Sequence, residues 1–168
     1  MAREMQAKTT LGLLDTAFSH RGSPSQMSDS KQLSDVEYGE VMSFEGVRWE
    51  ELTFEQVERN SDAVFWFSPE AFCYYLPGFL LVSLREGRLD ANAYDSIIGM
   101  LDRSPEPDYW DDFFRPRWTL LTAEEVTAVA AWADWFRRIE PDAFHGNTFE
   151  RVRATLGLLV ECLESASA

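Results

Sequence analysis

Cysteine, histidine and basic residues are all scarce in this chain of 168 residues, and each shortage closes off a class of function. The two cysteines, Cys73 and Cys162, show no spacing of a disulfide framework or a Cys-x-x-Cys metal site, and both read as reduced core residues. The two histidines, His20 and His145, sit on loops without a second ligand at metal-site spacing, and His145 with Glu150 reads as a contact at a helix start. No glycine-rich phosphate loop and no Gly-x-Ser-x-Gly elbow occurs, so the sequence nominates no catalytic residue, no metal ligand and no cofactor. Lysine and arginine total 15 against 29 acids, a formal net charge of −14. That charge repels nucleic acid and anionic membranes and favours basic partners, beside the plainer reading that it keeps the protein soluble. Met1–Phe18 carries Asp15 inside its apolar part and lacks a secretory core, which predicts a cytoplasmic protein.

Long apolar runs are also few. The one that stands out is Ser68–Leu84, SPEAFCYYLPGFLLVSL, uncharged from Ala71 onward and too short to span a bilayer. Ser68 is placed to cap a helix, Pro69 suits its first position, and Glu70 complements the positive end of the dipole. A helix apolar nearly all round must be surrounded, so this one is expected at the centre of the fold. Pro77 removes one helical N–H and crowds the preceding turn, which predicts a kink or two abutting half-helices, with Gly78 softening the same point.

Around that centre the chain reads as amphipathic pieces. Leu11, Leu14 and Phe18 predict a short first helix over Thr10–Ser19, and His20–Asp35, rich in serine, reads as a flexible loop connecting onward. Val36–Glu51 is too weakly periodic to choose between a helix and a small hairpin, with Trp49 as its anchor on the core. Thr53 with Gln56 and Thr122 with Glu125 have capping-box spacing ahead of helices, the second ending near Pro141. Tyr94, Ile97, Ile98 and Leu101 mark another helix, and Phe149, Val152, Leu156, Leu159 and Leu163 mark the last, from Thr148. Arg103–Trp118 holds three prolines and reads as a long loop. The expectation is an all-α single domain of about six helices.

The negative charge is unevenly spread. Asp29–Glu70 carries eleven acids against Lys31, Arg48 and Arg59, a net of −8, and Asp90–Asp112 carries seven against Arg103, a net of −6. The first zone offers Glu37, Glu40 and Glu45 as candidate partner-binding residues. The second interleaves rings and carboxylates as Asp108, Tyr109, Trp110, Asp111 and Asp112, the combination of burial and steering that an interface for a basic protein needs. The plainer reading of the rings is that they pin a long loop to the core.

Trp49, then Asp62–Leu84 with its Ser68-Pro69-Glu70-Ala71-Phe72 start and Tyr75-Leu76-Pro77 centre, then Leu121–Phe136, follow an order that resembles a family of small, acidic, uncharacterised bacterial proteins over Val36–Phe136. The resemblance implies a bacterial origin and a helical fold, and it carries over no catalytic residue. Small proteins of this sort look like immunity or antitoxin partners. The functional expectation is therefore a non-enzymatic module that binds a basic protein such as a toxin. The alternatives are a carboxylate-dependent hydrolase and a homodimeric scaffold pairing through Thr148–Leu163.

Overall fold

Nine α-helices and two 3₁₀ turns carry the chain, and no strand forms. In the computed structural model, which describes residues 1–168, these are α1 (Ala2–Phe18), α2 (Asp35–Met42), α3 (Phe54–Arg59), α4 (Ala63–Trp66), α5 (Pro69–Glu86), α6 (Asn92–Leu101), α7 (Phe114–Trp118), α8 (Ala123–Ile139) and α9 (Thr148–Ala166), with the turns at Trp49–Glu51 and Pro107–Tyr109. The all-helical class stands, but the count exceeds the expected six and the hairpin near Val36–Trp49 is absent. Each added helix has a local cause. Ser34 and Glu37 close a capping box that starts α2. Pro116 falls in the first turn of α7, where its missing N–H breaks no helical bond. Helix α4 is a single turn between Asp62 and Phe67.

The apolar run forms α5, and every residue from Ala71 to Leu84 is buried. Ser68 Oγ accepts the Ala71 N–H and Pro69 occupies the first turn, as its sequence position predicts. Pro77 does not divide the helix, which runs unbroken from Pro69 to Glu86. One lost backbone bond is outweighed by burial on all sides, since a buried Leu or Phe contributes about 1.5–3 kcal/mol. The helix stops at Gly87, whose φ of 63° is the left-handed geometry a glycine adopts freely.

Helices α1 and α8 pack on each other and on α5, and α9 packs on the outside of α8. The stripe of α9 is used here, since Phe149, Val152, Leu156 and Leu159 are buried. The segment between α1 and α2 has no regular structure, yet it makes defined bonds: Ser68 donates its N–H to the Met27 carbonyl at 2.8 Å and its hydroxyl to the Gln26 carbonyl at 2.6 Å, and Ser25 bonds Glu70.

Between α5 and α8 the core contains a polar relay. Trp132 Nε1–H donates to Ser83 Oγ at 2.9 Å, and Ser83 donates to the Leu80 carbonyl at 2.6 Å, both side chains being fully buried. Replacing Ser83 by alanine strands the indole N–H without an acceptor, so Ser83→Ala is expected to lower stability by about 1–3 kcal/mol in urea denaturation. An unchanged midpoint would show that the relay contributes nothing.

Candidate functional site

Helix α2 places the first group of acids. Glu37 Oε2 accepts the Ser34 N–H at 2.7 Å, so this carboxylate belongs to the helix cap. Glu40, one turn on, is half-buried, and its Oε2 is buried with no hydrogen-bond partner. Burial, then the charges of Asp62 and Glu37, raise its pKa above the ordinary carboxylate value. Glu45 is exposed in the turn beyond the helix. Two large side chains join these acids at the surface, Val36 at 72% exposure and Tyr38 at 56%. Neither Val36 nor Tyr38 is marked out by the pattern of acids in the sequence. The signal was the Ser34–Glu37 spacing, which puts both residues in the open first turns of a short helix.

The second group is partly structural. Trp110 is buried against Phe114 at 5.2 Å between ring centres. Asp111 Oδ1 accepts the Phe114 N–H at 2.7 Å and the Phe113 N–H at 3.1 Å, and Oδ2 faces Arg103 at 3.3 Å. The Phe114 bond above all, then Arg103, hold its pKa below the ordinary value. Arg115 bonds the Pro107 carbonyl at 2.8 Å and braces the loop from within. Asp108, Tyr109 and Asp112 remain outward, with Tyr109 71% exposed. The loop therefore uses Trp110 and Asp111 to fix itself and presents the other three.

Helix α4 links the elements that carry the two groups. Helix α2 packs on α4, the charge of Asp62 at the start of α4 acts on Glu40, and Phe65 on α4 lies 6.2 Å from the Phe113 ring. The arrangement is two acid groups, each with one open tyrosine, Tyr38 in the first and Tyr109 in the second. Chemically it can hold cations and cover apolar stems, with the rings as anchors.

Elsewhere the one fully buried acid is engaged. Glu125 is fully buried, yet Arg21 closes it with two bonds of 2.6 Å, Thr122 N–H adds a third at 2.8 Å, and His20 lies 3.7 Å away. Burial alone would lower the Arg21 pKa, but the bond to Glu125 holds it above its ordinary value. Cys73, on α5, is pushed up to about 12 by burial, which keeps it a thiol. A hollow of about 540 Å³ beside His20 is lined by Glu124 and Glu164, both exposed. No group of three His, Cys, Asp or Glu is placed to hold a metal ion, and no helix is long and apolar enough to cross a membrane.

A family model described as "Family of unknown function (DUF6714)" matches residues 16–154. The chain belongs to this family. The DUF6714 match reaches beyond Val36–Phe136 on both sides, taking in Arg21 and the segment before α2 as well as the first two turns of α9. The family description names no immunity or toxin-related role. No curated protein and no solved structure matches this chain.

Proposed function

We propose that this protein is an acidic, non-enzymatic binding module for a basic protein, a bacterial immunity or antitoxin protein that neutralises a toxin. The observation that carries the reading is the pair of open tyrosines. Tyr38 and Tyr109 are more than half exposed, each within one of the acidic zones, and neither donates or accepts a side-chain hydrogen bond. A fold that buries so many of its rings leaves these two for contact with something else. Carboxylates around them steer a cationic surface in, so association should be fast at low salt and slow as salt screens the field. The rings act after encounter, by slowing dissociation.

Glu40 supports the same reading. Its raised pKa means that the fold disfavours the carboxylate: this contribution to stability is highest when Glu40 is protonated and is lost as pH rises through its folded-state pKa. At neutral pH Glu40, Glu37 and Asp62 repel one another, and a guanidinium or ammonium from a partner would relieve that repulsion. Glu40→Gln is therefore expected to leave the free protein as stable or more stable at pH 7 while weakening partner binding. Loss of stability in thermal melts at neutral pH would contradict it.

The direct test is affinity capture from the source cell, using wild type and the triple variant Asp108→Asn, Asp112→Asn, Tyr109→Ala. Asp111 is left intact, because it caps α7 and its loss would test the loop instead. Wild type should enrich a basic protein with salt-sensitive affinity, and the variant should lose it. Absence of any basic partner, or equal capture by the variant, overturns the proposal.

A further inference from the structure

On the α1–α8–α9 side the charge reverses. Arg3 on α1, Arg137 and Arg138 at the end of α8, and Arg153 on α9 line one hollow of about 620 Å³, with Asp134 as its single carboxylate. Arg137 pairs with Glu150 at 3.0 Å and Arg138 donates to Gln6 at 3.1 Å, whereas Arg3 and Arg153 form no salt bridge. Two of the four have a local use, since cations in the last turn of α8 offset its dipole. Arg3 has none: it stands in the first turn of α1, the positive end, where a cation is unfavourable.

The hollow does not end at its arginines. From Asp134, Arg137 and Arg153 an apolar groove of about 260 Å³ continues between α8 and α9, lined by Ala130, Ala133, Phe149, Val152, Leu156 and Val160. It follows α8 from Thr127 to Arg137, ten residues or about 15 Å of helix. A charged mouth joined to an apolar channel of this length selects a ligand with the same two parts.

We infer that this is a binding site for an anionic amphiphile, with one phosphate or carboxylate head gripped by Arg3, Arg137 and Arg153 and a single apolar chain lying along the α8–α9 groove. Guanidinium forks match the planar and tetrahedral oxygens of such heads. The arginines are exposed and screened by water, so a free anion gains little there, and burial of the chain supplies the rest. A nucleic acid would bring its many charges against a protein of net −14, while one head group brings one or two. No residue of either acidic zone lines the hollow or the groove, so the inference is independent of the proposed partner.

The test is calorimetric titration of the full chain with dodecyl phosphate below its micelle concentration, with inorganic phosphate and dodecanol as the head-only and tail-only arms. One dodecyl phosphate per chain is expected, bound roughly tenfold or more tighter than either arm. The double variant Arg137→Gln, Arg153→Gln should weaken it by about tenfold, and Ala130→Phe, which fills the groove from a half-exposed position, should do the same. Unchanged thermal melts confirm that these surface variants stay folded. Binding indifferent to both variants, several molecules per chain, or an arm that binds as tightly as the whole amphiphile overturns the site.

Discussion

Gly78→Ala is expected to destabilise the protein by about 3 kcal/mol, the upper end of the usual range for overpacking, and to lower the melting midpoint by roughly 6–12 °C. The reason is the nearness of another backbone. A Cβ built on Gly78 would lie 2.5 Å from the Trp49 carbonyl oxygen and 2.7 Å from Leu52 Cδ1. Leu52 could turn aside, but the Trp49 carbonyl belongs to the Trp49–Glu51 turn, whose indole is buried beside Phe18 at 6.4 Å between ring centres. Moving that oxygen moves the tryptophan. Two other helical glycines supply the control. Gly12 in α1 and Gly99 in α6 meet nothing within 4 Å, so alanine there should stabilise by about 0.5–1 kcal/mol through helix propensity alone. Urea denaturation of the three variants measures the contrast. Equal shifts for all three would show that close approach at Gly78 is not what the position requires.

Gly78 also shows where the sequence stops being legible. Its neighbour Pro77 suggested a soft point in a kinked helix, whereas the structure uses the glycine as a seat for a turn some thirty residues earlier. Contacts at that separation leave no local pattern. What was legible was local chemistry: Ser68 and Pro69 at the start of α5, the capping boxes at Thr53 and Thr122, and the stripe of α9 all appear where spacing placed them. The capping box at Ser34 obeys the same rule, but α2 buries only Val41 and has almost no apolar period to mark it as a helix. For the candidate site, composition located the acids but not their roles. Only the hydrogen bonds separate Asp111, which caps α7, from Asp108 and Asp112, which do not. The arginine hollow, drawn from positions 3 to 153, has no signature along the chain at all.

The second large effect is expected at Glu125, where Glu125→Ala should remove about 3–5 kcal/mol, as breaking one side of a buried ion pair does. Sequence spacing gives this residue one task, the capping box with Thr122, and the loss of a cap alone is worth about 1 kcal/mol. In the fold its carboxylate also receives the Arg21 guanidinium side-on through Nε and Nη2, both at 2.6 Å, while Arg21 Nη2 reaches the Leu120 carbonyl at 2.9 Å. Removing the carboxylate leaves a largely covered cation without its counter-charge and unties the chain after α1 from the start of α8. Arg21→Lys separates charge from geometry: lysine keeps the charge and loses the fork, so an intermediate loss is expected. The double variant Arg21→Met, Glu125→Leu should recover much of the stability of Glu125→Ala, because well-packed apolar pairs often match a buried ion pair. A double-mutant cycle read by urea denaturation isolates the coupling. If Glu125→Ala loses only the value of a helix cap and the cycle shows no coupling between the two positions, the Arg21 bond does not hold these elements together.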